Sequence, residues 1–204
     1  MTQEQVQIML LKMLFKKKNY EFFEKGKFNV NIFGIRSLSR QAGNFNDWLG
    51  IIYKDENNVE RCEYYAATTD AGTYWLRRPM NVKGTALLVP AQYKNCYQIG
   101  LHKKKYEALV QVAPVKVYRD NNKNLIEDMK TASIEEGNFG INIHRSHPFE
   151  EREENIVYSA GCQVFQNPWD FSRFMQIVKK SAALYGNSFT YTLLNSEEFD
   201  ELPN

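Results

Sequence analysis

Between Phe28 and Val117 the chain keeps returning to one texture: short runs of β-branched and aromatic residues, divided by turn formers. The runs fall at residues 29–35, 48–53, 63–67, 73–76, 85–89, 97–101, 109–112 and 115–118. Such side chains suit a pleated, half-buried surface, and Asn57-Asn58, Gly84 and Pro114 sit where the chain has to turn. This stretch therefore predicts a β-rich domain. Residues 139–144 and 157–159 read as further strands, and the polar segment 120–136 as a long loop.

Both ends carry a different period. Val6, Met9, Leu10, Met13 and Leu14 form an i, i+3, i+4, i+7, i+8 stripe within residues 3–20, followed by Lys17 and Lys18, and Gly26 closes the region. Near the other end, residues 169–185 place Phe171, Phe174, Met175, Val178, Ala182 and Tyr185 on one face. Asn167-Pro168 supplies the start signal and Gly186 the stop. Residues 188–194 read as an edge strand. The expected division is an N-terminal amphipathic helix over 1–26 and a single β-rich domain over 27–204, mostly β and α+β overall. The first helix either packs on its own core or offers residues 3–20 to a protein partner, a virion contact or a membrane surface.

Charge and composition exclude several classes. Among 204 residues, 26 Lys+Arg face 24 Asp+Glu, a net charge of +2, without the basic surplus of a nucleic-acid binder. No run approaches the roughly 20 apolar residues that cross a bilayer, so no integral membrane segment is expected. The apolar stretch from Ile8 to Phe15 precedes its lysines, the reverse of a secretory signal. The expected protein is made in a reducing cytoplasm without a signal peptide. Three cysteines, Cys62, Cys96 and Cys162, with no CxxC pair, suggest neither a disulfide framework nor a four-thiolate zinc site.

Chemistry concentrates between Gly137 and Phe165. His144 ends an expected strand, and Cys162 follows the turn Ser159-Ala160-Gly161 shortly before a helix. A thiol must ionise to attack a carbonyl, and its ordinary pKa of about 8.5 leaves only a few per cent ionised at neutral pH. An adjacent imidazole removes that proton. Small residues before the cysteine let backbone amides face an incoming oxygen, each such donor being worth about 3 kcal/mol in the transition state. Cys62 and Cys96, with no histidine beside them in sequence, read as small hydrophobes.

His144, the following loop and Ser159-x-Gly161-Cys162 resemble the catalytic signature of the L,D-transpeptidase (YkuD-like) family: a histidine, then Ser/Thr-His-Gly-Cys, a hydrophobic residue and Arg or Asn. Upstream, Ala67-Thr68-Thr69-Asp70-Ala71-Gly72-Thr73-Tyr74 is similar to the family's Thr-Pro-x-Gly-Thr/Ser-aromatic strand. The likeness spans roughly residues 60–185 and extends to phage and prophage proteins sharing Asn-Ile-His-Arg and Ser-Ala-Gly-Cys-Gln-Val. It implies a sandwich- or barrel-like β core and a Cys162 nucleophile with His144 as base. The carbonyl of Arg145 would orient the imidazole, and amides around Ala160, Gly161 and Cys162 would act as oxyanion donors. Ser159, Gln163 and Tyr74 fall on the substrate side. The implied substrate is a peptidoglycan stem peptide, with an amine or water as acceptor (transpeptidase, or L,D-carboxypeptidase or endopeptidase). No cofactor is implied. Ala160 stands where the family has His, and Gln163-Val164 replaces the hydrophobic–Arg/Asn pair, leaving Arg145 or Arg36 to recognise the stem's carboxylate. The absent export signal fits a phage-encoded protein carried in the particle or released at lysis.

Other readings stay open. One is a cell-wall-binding or virion-structural domain that keeps the fold without turnover. A zinc hydrolase could use His144, His147 and Cys162, provided a turn at Arg145-Ser146 brings both rings together. His102, before three lysines, is structural or flanks the substrate. Asp120, Asn122 and Asn124 have the spacing of half an EF-hand loop, yet Leu125 and Thr131 occupy the positions needing Gly and Glu, so a polar turn is expected.

Overall fold

A computed structural model describes every residue except 40, 128, 130, 131, 203 and 204. Thr131, the last position of the half EF-hand pattern, lies outside the described residues. The chain runs α1 (Gln3–Lys17), β1 (Asn31–Arg36), β2 (Asp47–Lys54), β3 (Glu60–Thr68), α2 (Thr73–Arg77), β4 (Thr85–Leu88), β5 (Gln92–His102), β6 (Tyr106–Gln111) and β7 (Val115–Asp120). It continues through β8 (Ser133–Gly137), β9 (Ile143–Arg145), β10 (Gln163–Phe165), α3 (Pro168–Tyr185) and β11 (Phe189–Asn195) to a 3-10 turn at Ser196–Phe199. Eight strands close a barrel in the order β1-β11-β5-β6-β9-β10-β3-β2, and β4-β7-β8 form a separate three-stranded sheet. The protein is thus mostly β with helices at both ends, and its principal sheet is a barrel.

Alternation along the strands sorts side chains between two cores. Ile32, Leu49, Ile51, Tyr191 and Leu193 join the main core, which also takes Phe171, Phe174, Met175, Ile177 and Val178 of α3. Their neighbours Phe33, Ile52 and Leu194 point the other way, onto Ile8, Leu11, Leu14 and Phe15 of α1. Both faces of β1, β2 and β11 are therefore covered, which explains why these strands read as nearly continuous apolar runs. The first helix thus spends its apolar face on the barrel and is part of the same packed body as the β domain.

The details correct several expectations. The buried face of α1 is Ile8, Leu11, Leu14 and Phe15, while Met9 is exposed; the segment is apolar nearly all round, so the periodicity did not single out one stripe. The helix ends at Lys17, and Asn19 takes a left-handed φ of 55°. Residues 73–76 form α2, not a strand, because Gly72 caps them and the amides of Gly72, Thr73 and Tyr74 reach the carbonyls of Ser159, Asn155 and Ile156. The strand β8 lies within the expected loop 120–136; its polar sequence suits an exposed strand paired on one side only, with β7. Residues 157–159 are not a strand, and β10 lies beyond them. Residues near 188–194 form β11, which is interior to the barrel between parallel β1 and antiparallel β5.

A buried ionic cluster locks the barrel to the segment after β3. Arg36, fully buried at the end of β1, donates to the carbonyls of Thr69 (2.8 Å) and Leu88 (2.8 Å), and its Nε lies 2.7 Å from Asp70 Oδ1. Asp47 accepts from Ser37 N, Thr69 N and Thr69 Oγ1. Burial, then the nearby charge of Asp70, pushes the Asp47 carboxyl up to about 7, and the same two causes raise Glu127 well above the carboxylate range.

Candidate active site

Two short parallel strands bring the distant residues together. In the β9–β10 pair, Ile143 lies opposite Gln163 and His144 opposite Val164, so Cys162, just before β10, stands beside the strand that carries His144. His102 arrives from the end of β5. His102, His144 and Cys162 all line one cavity of about 510 Å³, with Trp75, Lys103, Arg119, Phe139, Asn142 and Ala160 among its other walls.

The two histidines are held in defined tautomers. His144 Nδ1 is 2.8 Å from the carbonyl oxygen of Arg145. A carbonyl only accepts, so Nδ1 carries the proton and Nε2 presents its lone pair. Nε2 is buried and has no hydrogen-bond partner among the described residues. Tyr106 also donates to the Arg145 carbonyl, at 3.3 Å. On the His102 side, the Gln111 amide donates to Asn142 Oδ1 (2.9 Å), which turns Asn142 Nδ2 toward His102 Nδ1 at 3.0 Å. His102 Nδ1 is thus the acceptor, and its proton sits on Nε2. Desolvation, with Lys103 adding repulsion, lowers His102 to about 4; desolvation, followed by the charge of His102, lowers His144 to about 3. Both rings are neutral at physiological pH.

Cys162 is partly exposed. Its Sγ contacts the Gly140 carbonyl at 3.4 Å and receives the Asn142 amide at 3.4 Å. Burial raises the thiol above its ordinary range, and the Asn142 amide and Lys103 pull the other way. At rest the thiol is protonated and the imidazole neutral, and among the described residues no hydrogen bond joins Cys162 to His144. The turn before the thiol depends on glycine: Gly161 has φ +119°, and a Cβ there would lie 2.1 Å from the Ala86 carbonyl oxygen. Ser159, fully buried, donates to the Cys162 carbonyl (2.7 Å) and accepts the Gly161 amide (3.1 Å). The Gly161 amide is therefore occupied, leaving those of Ala160 and Cys162 as candidate oxyanion donors.

Several sequence-chosen residues lie elsewhere. Gln163 is fully buried; its amide donates to the Thr69 and Gly161 carbonyls and accepts from Tyr191, so it braces the Cys162 turn from inside. Tyr74 stacks edge-on against Trp75, and it is Trp75 that reaches the cavity wall. The Arg145 guanidinium lies over the Tyr106 ring at 4.3 Å and lines a different groove, with Glu107 and Lys179. Arg36 is sealed in its ionic cluster. His147 meets the ring of Phe149 rather than the Cys162 cavity, and among the described residues no group of three His, Cys, Asp or Glu side chains could hold a metal ion. Cys96 is buried, and burial pushes the Cys62 thiol up to about 12.

The sequence reading left out Asn142, Lys103 and Arg119 and gave His102 only a flanking place. The one available signal was that His102 ends a strand run just before the lysines. No protein-family model and no curated protein matches the chain. Among the described residues no helix is long and apolar enough to cross a membrane.

Proposed function

We propose that the protein is a cysteine acyltransferase or peptidase of L,D-transpeptidase-like type, acting on peptidoglycan stem peptides. The observation that supports this most is that Cys162 shares an open cavity with an imidazole whose Nδ1 is fixed by a backbone carbonyl and whose Nε2 has no partner among the described residues. The contact of the Arg145 carbonyl with His144 Nδ1 supports this reading, since the resemblance implies such an orienting group. The chemistry follows in balanced steps. Cys162 leaves the Gly140 carbonyl and gives its proton to His144 Nε2, and the thiolate adds to the substrate carbonyl. The oxyanion is met by the amides of Ala160 and Cys162. Collapse breaks the C–N bond, and the imidazolium protonates the departing amine, leaving a thioester on Cys162. Water or a second amine then gives a proton to His144 and takes the acyl group, and the proton returns to the thiolate.

The test compares wild type, Cys162→Ala and His144→Ala on purified muropeptides by mass spectrometry. Products from the wild type alone are expected, and identical product patterns in all three would overturn the reading. A carbapenem should add covalently to the wild type at Cys162 and not to Cys162→Ala.

A second reading, a non-catalytic wall-binding or virion-structural domain, is favoured by one observation: the thiol engages the Gly140 carbonyl and Asn142 amide, with its ionisation suppressed by burial. It predicts that wild type and Cys162→Ala bind cell-wall sacculi equally and that neither changes them.

A further inference from the structure

The charges around the Cys162 cavity are one-sided. Lys103 and Arg119 line it, and no Asp or Glu does so among its described residues. The two cations are in different states. Arg119 is mostly buried and already committed, with Nε 2.7 Å from Glu135, Nη1 3.2 Å from the Gly84 carbonyl, and its guanidinium 4.7 Å from the Phe139 ring centre. Lys103 is exposed and makes no ion pair among the described residues, although other lysines of the chain, such as Lys12, Lys17 and Lys83, do so. It occupies the tight β5–β6 turn with φ 51°, next to Lys104 at 59° and closed by the Lys105 amide on the His102 carbonyl. That backbone region usually favours Gly or Asn. The turn follows His102 directly, so it fixes a positive charge at the wall shared with both imidazoles and the thiol.

We propose that Lys103 binds a carboxylate of the substrate, so that the cavity selects peptides bearing a free carboxylate near the bond presented to Cys162. The proposal rests on Cys162 as the reacting group and takes over the carboxylate-recognition role that neither Arg36 nor Arg145 is placed to serve. An exposed cation at a cavity wall without a counter-ion among the described residues raises the local concentration of small anions, and salt weakens the effect.

The experiment uses two alkylating probes of similar shape, iodoacetate and iodoacetamide, with modification at Cys162 followed by peptide mapping. Both react with the thiolate, so their rate ratio cancels any change in thiol ionisation and reports the charge felt by the carboxylate. The iodoacetate/iodoacetamide ratio should fall about fivefold in Lys103→Gln, the order of one unit charge a few ångströms away in a water-like medium. It should persist in Lys103→Arg and in Lys104→Gln, and in the wild type it should shrink as salt rises. An unchanged ratio in Lys103→Gln, or an equal fall in Lys104→Gln, would overturn the assignment. Failure of both reagents to modify Cys162 would overturn it too, since the cavity would then not admit such a group. Failure of the enzyme reading shows up separately, as muropeptide products that do not depend on Cys162.

Discussion

The imidazole of His102 lies flat against that of His144, ring centres 4.0 Å apart and planes inclined by 23°. Shielded from water, both rings resist protonation, and the charge His102 would carry further disfavours protonation of His144. They should titrate near 4 and 3, below the ordinary value of about 6.5. NMR of the imidazole protons across pH 3–8 checks this, and in His102→Gln the His144 midpoint should move up toward 6.5. The unfolded chain binds these protons near 6.5, so the stability contributed by the neutral pair is complete above that pH and is lost as pH falls toward 4 and then 3. Urea midpoints for wild type and His102→Gln should therefore differ in slope within that interval.

The thiol provides a second pH signature. Cys162 rests protonated, with its pKa raised by burial, so its alkylation rate should keep climbing through pH 9. A plateau between pH 5 and 8 would instead mean that a thiolate–imidazolium pair exists before substrate arrives.

Gly161→Ala should be costly. The residue has φ +119° and its new Cβ would meet the Ala86 carbonyl at 2.1 Å, in backbone with no flexible side chain to yield. A loss of about 3 kcal/mol or more is expected, read from denaturant midpoints, together with altered Cys162 reactivity even where the variant stays folded.

Arg36→Met should destabilise by roughly 3–5 kcal/mol, because it leaves Asp47, Asp70 and Glu127 buried without their cation. The loss should deepen with rising pH. Asp47 is held protonated up to about 7, so stability resting on its neutral form is present below the unfolded value near 4 and lost as pH rises through 7. Thermal melts at pH 5.5 and 8.5 compare the two regimes.

Leu11→Ala addresses the first helix. Leu11 is fully buried against the barrel, so truncation should cost about 2–5 kcal/mol. A helix reserved for an external partner would show almost no change in the isolated protein.

Local signals carried much of this fold. Asn167-Pro168 and Gly186 bracketed α3 to within a residue, since caps and stops act through the backbone of their own turn. The runs of β-branched and aromatic residues located β1, β2 and β3, and Ser159-Ala160-Gly161-Cys162 with His144 was visible because those residues are close enough in sequence to read as one motif. The segment 73–76 misled because its aromatic residues fit a strand, while distant carbonyls at 155, 156 and 159 decided that it would be a helix.

By itself the sequence determined a β-rich chain with a helix at each end and one cysteine–histidine segment, because periodicity, caps and turn chemistry are properties of neighbouring residues. Only the tertiary structure decided that the sheet closes, that β11 is paired on both sides within it, and that His102 and Lys103 line the same cavity as the thiol. Those relationships arise from strand register and loop closure between segments tens of residues apart. Tertiary packing also turned Arg36 from a candidate ligand-binding side chain into a buried brace, because burial and ion pairing depend on what surrounds a residue and not on what adjoins it in the chain.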